Sequence, residues 1–574
     1  MSQRFKVSVI VGIVLIGAIF GGEENGIDVK ENSVIVLNLE DIQNDYAGKY
    51  SDPWVTAFSD TKQIGLTDVI DAIGAAKNDE NIKGISILNN NSSLGMAQSK
   101  AVRDALEDFK KSGKFVMAYA NTYSQKEYYL NSVANTIYLN PVGDLDFKGL
   151  SSDLLFFKDF QDKTGVKMEV IRHGKYKSAV EPFLENKMSE ANREQITALL
   201  NSIWNSVVTD IAKSRNVSVE KLNEIANGLL ARTPEMAKAQ KLVDVVAYED
   251  VYHNAIKKRL QVDSKDEYES VSILDYTHKY TTTSIPNDAT DEIAIIYAQG
   301  EIQSGEGDVN IIGEGSMRRS ISEARNNEDV KAIVLRIDSP GGNALTSDLI
   351  WREIELTKKV KPVVVSMGNY AASGGYYIAC NADRIMAQPN TITGSIGVFA
   401  LLPNTQQLFG EKLGLNYETV ELGELSAGWR PDRPLGEKER AMMQTMINGI
   451  YDDFLNTVAQ GRNMSKSHVA ALAEGRVYSA IDAKELHLID DFGGINRAIL
   501  AAARKSKTKD YRVVSYPEQA DWLSQLLNQE EMAKTQWSNA AKASGLPVET
   551  IKEAEKIQHL VGPQYLLPWS VKMH

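Results

Sequence analysis

Cysteine is almost missing from this chain: Cys380 stands alone among 574 residues. One thiol excludes an internal disulfide and any cysteine-rich metal centre. Its place seven residues after Ser373 predicts a buried packing residue on a short helix. Histidine is scarce too, with His173, His253, His278, His468, His487, His559 and His574 and no HExxH spacing. That removes the zinc-hydrolase signature. A surplus of positive charge is also lacking: 63 Lys and Arg stand against 76 Asp and Glu, a net charge of −13. Nucleic acid is therefore excluded as a partner, because phosphate recognition needs clustered cations.

Long apolar runs are nearly absent as well. The exception, residues 7–22 (VSVIVGIVLIGAIFGG), is shorter than the roughly 20 residues of a spanning helix. Arg4 and Lys6 precede it, and Glu23 and Glu24 follow. That charge order predicts an N-terminus inside and the bulk of the chain outside the cytoplasm. A cleaved signal peptide is the competing reading, but the run offers a poor Ala-x-Ala-like site. Residues 1–25 are expected to be an uncleaved signal anchor.

Glycine-rich turns are present where chemistry could use them. The stretch Tyr370-Ala371-Ala372-Ser373-Gly374-Gly375-Tyr376-Tyr377 follows an apolar β-rich run at 363–365. A serine leading into a helix is commonly its N-cap. In a strand-to-helix turn of small residues it can instead be an exposed nucleophile, with free helix-terminal amides behind it. A second such turn, Asp338-Ser339-Pro340-Gly341-Gly342, follows the run 332–337. Two turns of this kind are well placed to meet at one sheet edge, one carrying the hydroxyl and the other a second oxyanion donor.

The chain also repeats itself. Residues 83–149 align with 331–397 at a constant offset of 248: Asn121 meets Asn369, Tyr128 and Tyr129 meet Tyr376 and Tyr377, and Pro141 meets Pro389. Further on, Leu242-Val243-Asp244 meets Leu488-Ile489-Asp490 at an offset of 246. In each unit short apolar runs alternate with helical segments, predicting α/β units with parallel sheets and crossover helices. The repeats are expected at 30–280 and 291–510. Residues 281–284 and Pro286-Asn287-Asp288 form the expected linker. A tail at 511–574 reads as helical over 520–560, with an irregular docked end at 562–569.

The repeat is informative where it fails. Ser373 aligns with Gln125, Gly374-Gly375 with Lys126-Glu127, and the second glycine turn with Asn91-Ser92-Ser93-Leu94. Only the second unit can host serine chemistry. A serine needs a proton acceptor. A histidine cannot be excluded by sequence distance, because triad members meet only in the fold. A lysine serves when burial disfavours its charged form. Most lysines are solvated, yet Lys177, in His173-Gly174-Lys175-Tyr176-Lys177-Ser178-Ala179-Val180, aligns with Ser426. The first unit keeps a lysine and lacks the serine; the second keeps the serine and lacks that lysine.

Together YKSAVEPF at 176–183, DSPGG at 338–342, AASGGYY at 371–377 and TGSIGV at 393–398 resemble the signal peptide peptidase A family in its long, two-repeat, membrane-anchored form. The resemblance implies tandem Clp-protease/crotonase-like repeats and a Ser/Lys peptidase needing no metal or other cofactor. It implies Ser373 as nucleophile and Lys177 as general base. The main-chain amides of Gly374 and Gly342 (Gly341 being its near neighbour) become the oxyanion hole, and Ser395 the serine that orients the lysine. For Ser395, a turn hydroxyl satisfied by backbone is the other reading. The implied partners are cleaved signal peptides and apolar peptide segments, the membrane and a homotetramer. The implied location is the inner membrane, with the catalytic bulk outside the cytoplasm. A crotonase-like acyl-CoA enzyme and an inactive membrane scaffold are the alternatives. Ser59 to Lys62 and Ser218 to Lys221 also show Ser-x-x-Lys spacing; the latter reads as a helix cap.

Overall fold

The computed structural model describes residues 29–46, 64–88, 92–283, 289–516 and 562–566. The expected anchor at 1–25, the helical reading of 520–560 and the pair Ser59 and Lys62 lie outside the described residues. Among the described residues no helix is long and apolar enough to cross a membrane.

Val- and Ile-rich runs, buried on both faces, build two mostly parallel sheets, as such runs do when helices cover both sides. The first has the strand order Val245–Val246, Thr136–Leu139, Phe115–Ala120, Ile82–Leu88, Ser33–Asn38 and Ser270–Ser272, all parallel. The second is centred on Glu292–Gln299, Val330–Ser339 and Val363–Ala372, with Arg384–Ala387 alongside. The 248-residue offset survives in three dimensions. Helix Met96–Lys110 corresponds to Ala344–Lys358, and strand Phe115–Ala120 to the start of Val363–Ala372. Tyr128 Oη donates to Leu242 O at 2.9 Å, and Tyr376 Oη to Leu488 O at 2.8 Å.

A third sheet joins the two halves. Its order is Ile311–Gly313, Glu301–Gln303, Gly341–Asn343, Gly562–Leu566, Val398–Asn404 and Lys167–His173. The last strand belongs to the first half. It runs antiparallel to Val398–Asn404 from His173 opposite Val398 to Lys167 opposite Asn404. That pairing carries the chain from the first half to the serine turn of the second. A buried ion pair, Arg336 Nε to Asp45 Oδ2 at 2.7 Å, and Asn369 Oδ1 accepting from the amides of Ala97 and Gln98 also tie the halves together.

Three segments differ from the sequence reading. Helix Ile273–Thr283 runs through the threonines assigned to the linker. Ile273 and Tyr276 are buried in the first core, and tertiary anchoring outweighs the modest helix penalty of threonine. The start of the tail, to which the sequence reading gives no element, holds an edge strand, Arg512–Tyr516, parallel to Glu292–Gln299. The end at 562–566 is docked as expected, but as a strand rather than an irregular segment.

Candidate active site

Strand Val363–Ala372 delivers Ser373 to the sheet edge with φ +54° and ψ −113°. A serine there holds a backbone conformation that L-residues avoid at a cost of roughly 1–2 kcal/mol. Its side chain makes no capping bond to helix Gly374–Ala379, so the cap reading does not describe it. The turn is held from behind instead, by the Ser373 amide donating to Gly394 O at 2.8 Å. The plain cap is found in the other half. There Ser124 caps Gln125–Asn131 with a reciprocal Glu127 contact. Gln125, at the position of Ser373, is fully buried, accepts from the amides of Lys148 and Gly149, and donates to Gly149 O.

Lys177 reaches this serine from the end of strand Lys167–His173. Gly174, at φ +98°, makes the turn, and a methyl group there would sit 2.5 Å from Glu474 O. The amide of Tyr176 donates to that same carbonyl at 2.9 Å. The Lys177 side chain is 0% exposed. Its Nζ lies 2.7 Å from Ser373 Oγ, 3.0 Å from Ser395 Oγ and 3.2 Å from Ser395 O. Two glycines wall its stem. A methyl on Gly475 would meet Lys177 Cβ at 2.6 Å, and one on Gly397 would meet Lys177 Cδ at 3.3 Å. Burial alone therefore holds the amine well below the usual lysine range. Ser395 itself sits at φ +53°, and its amide donates to Arg476 O at 2.7 Å.

The two glycine turns adjoin. Gly341 has φ +106° and Gly342 φ +150°, which favour glycine. A methyl on Gly374 would lie 3.2 Å from Gly342 N, and one on Gly341 would lie 2.8 Å from Gly374 N. The first amides of a helix have no partner inside it. The cluster thus brings together a buried hydroxyl, an amine without competing charge, and glycine amides from two turns. Its available chemistry is proton transfer from hydroxyl to amine beside donors for a developing oxyanion.

Cys380 is fully buried, its Sγ donates to Tyr377 O, and burial pushes the thiol up to about 12. Ser218 accepts from Lys221 N as the cap of Val219–Gly228. Sequence reasoning missed Gly397 and Gly475, which enclose the lysine, and Tyr565, which lies against Gly341. Gly475 sits in Glu474-Gly475-Arg476, with no motif to single it out; only the fold brings it to Lys177.

The model of the peptidase family S49 matches residues 108–263 and 355–509. The chain is 34% identical to "Protease 4" of Haemophilus influenzae over 522 residues, 87% of this chain and 83% of that protein. It is 31% identical to "Serine protease SPPA, chloroplastic" of Arabidopsis thaliana over 83% of this chain and 70% of that one. A solved structure, a mutant of ClpP1 from Listeria monocytogenes, matches over 38% of this chain and 99% of its own at 15% identity and a TM-score of 0.26. The two matched halves and the near full-length relatives lead to one conclusion: this chain belongs to peptidase family S49 and is a serine peptidase.

Proposed function

We propose that Ser373 is the nucleophile and Lys177 the general base of this peptidase, acting within one chain. The observation that supports this most is the 2.7 Å contact between Lys177 Nζ and Ser373 Oγ, in a site whose burial disfavours the charged form of the amine. A neutral amine has two N–H bonds and one lone pair. The N–H bonds point to the carbonyl and hydroxyl oxygens of Ser395, leaving the lone pair for the Ser373 hydroxyl. Ser373 Oγ attacks the scissile carbonyl as its proton passes to Lys177. The amides of Gly374 and Gly342 hold the oxyanion, each worth about 3 kcal/mol in such sites. Lys177 then protonates the leaving amine, and water, deprotonated by Lys177, releases the acyl group from Ser373. Ser395 orients the amine.

The substrates in this reading are cleaved signal peptides and apolar peptide segments. Residues 7–22 act as a signal anchor that keeps the catalytic bulk outside the cytoplasm at the inner membrane, and the repeats at 30–280 and 291–510 adopt a Clp-protease/crotonase-like fold in a homotetramer. Support for the membrane assignment is the apolar run with its flanking charges. An acyl-CoA enzyme has no use for either dyad side chain, and a scaffold has no need of a desolvated lysine. Ser373→Ala and Lys177→Met should each give a folded chain without peptidase activity. Near-normal turnover by either would refute the dyad.

A further inference from the structure

Strand Gly562–Leu566 lies between Gly341–Asn343 and Val398–Asn404, antiparallel to both. Among the described residues it is the sole link between those two strands in the third sheet. Without it, two sheet edges face each other across a slot one strand wide, each edge offering unpaired backbone groups. One edge is the glycine turn, and the other begins three residues after Ser395. An extended peptide entering that slot would be bound by main-chain hydrogen bonds whatever its sequence, with side-chain pockets giving selectivity.

The register places the strand against the catalytic groups. Tyr565 is opposite Gly342 and Leu566 opposite Gly341, so the segment runs towards the serine turn. A methyl built on Gly341 would lie 2.1 Å from Tyr565 O and 2.8 Å from Gly374 N, so that carbonyl and that amide flank the same point. The Tyr565 side chain is 2% exposed. Its ring stacks on Tyr377 at 5.3 Å and packs on Phe454 at 4.7 Å, and its hydroxyl donates to Ile450 O at 3.1 Å. Tyr377 belongs to the helix that Ser373 begins. Leu566 packs against the cluster of Val180, Phe399 and Leu401, next to the lysine segment.

We propose that residues 562–566 are a resident pseudosubstrate, and that the Tyr377–Phe454 pocket selects peptides carrying an aromatic side chain followed by leucine. This rests on the Ser373–Lys177 reading for its meaning, because only then is the slot a substrate groove. Substrate and strand exclude each other, so apparent substrate affinity is reduced by the fraction of chains whose slot is filled.

The test is a binding measurement that needs no catalysis. A fluorescent peptide Gly-Pro-Gln-Tyr-Leu-Leu is titrated into Ser373→Ala protein, full length or lacking residues 562–574, with anisotropy as readout. The shortened chain should bind it about tenfold more tightly, and replacing the peptide's tyrosine by alanine should abolish the gain. Should the shortened chain fail to fold, Tyr565→Ala in the full-length Ser373→Ala chain should show the same gain. Equal affinity for full-length, Tyr565→Ala and shortened chains overturns the pseudosubstrate, and indifference to the peptide's tyrosine overturns the pocket. Labelling of Ser373 by a small fluorophosphonate in the otherwise wild-type chain lacking residues 562–574, or carrying Tyr565→Ala, where the slot is open, separates the two readings. Its failure would strike the dyad and leave the binding result standing.

Discussion

Gln125 and Ser373 occupy the same position in the two repeats, 248 residues apart, and have opposite surroundings. Gln125 spends its side chain on the backbone of Lys148 and Gly149, the segment corresponding to Ile396 and Gly397. Ser373 leaves that space to the amine of Lys177. The position that holds the serine in the second repeat is thus filled by a buried glutamine in the first, whose Lys177 reaches across to Ser373.

Gln125→Ala therefore acts on stability and not on turnover. It empties a fully buried site and removes the side-chain partners of the half-buried backbone groups at 148–149, at a cost of about 1–3 kcal/mol. Denaturant unfolding should show that loss while peptidase activity per folded molecule is unchanged. Gln125→Ser should gain no reactivity, since neither glycine turn exists in that half.

Lys177→Met keeps the bulk of the side chain and removes the amine. Loss of a general base lowers turnover by about 10²–10⁴-fold. The same variant tests the electrostatics. The folded amine is held below its ordinary 10.5, so the unfolded chain binds more protons at this site. Above 10.5 both states are neutral and the site contributes no pH dependence. As pH falls below 10.5 the unfolded amine charges first, and the folded state loses stability relative to it until the folded value is reached. Stability of wild type relative to Lys177→Met should therefore rise between neutral pH and 10.5. Denaturation at both ends of that range checks the sign; a flat difference would mean the amine is not desolvated.

Gly475→Ala should behave as a dyad mutation although Gly475 carries no functional group. Its φ is +82°, and the new methyl would stand 2.6 Å from Lys177 Cβ. Displacing the amine by about 1 Å is enough to cost about 10²-fold in rate. Peptidase assays should show that loss with KM little changed.

Much of this was readable from the chain. The strands at 82–88, 115–120 and 330–339 are apolar runs between helical segments, and the constant offset announced that they occur twice. Ser373 and Lys177 emerged because each is present where its repeat partner is not. The tail was less legible. Gly562–Leu566 has no alternation of its own and becomes a strand only because two edges flank it. The enclosing role of Gly397 and Gly475 was equally hidden, since it depends on segments meeting Lys177 from more than 200 residues away.

Ser395→Ala removes one of the three oxygen partners of the Lys177 amine and leaves Ser373 Oγ at 2.7 Å and the Ser395 carbonyl at 3.2 Å. The base stays buried but is held in one direction fewer. Turnover should fall by about 10-fold, less than on loss of the base itself, with the acid limb of the rate–pH profile displaced. Ser395→Thr, which retains the hydroxyl, should recover part of it; an unchanged profile in Ser395→Ala would reduce Ser395 to a turn residue.

The most direct test of the central claim is the rate at which a small fluorophosphonate labels the protein, read by intact mass and peptide mapping across pH. One label per chain is expected, on Ser373, at a rate that rises with pH as Lys177 loses its proton. Lys177→Met should label slowly and without that rise. A label on another serine, or wild-type labelling of Lys177→Met, would contradict the dyad.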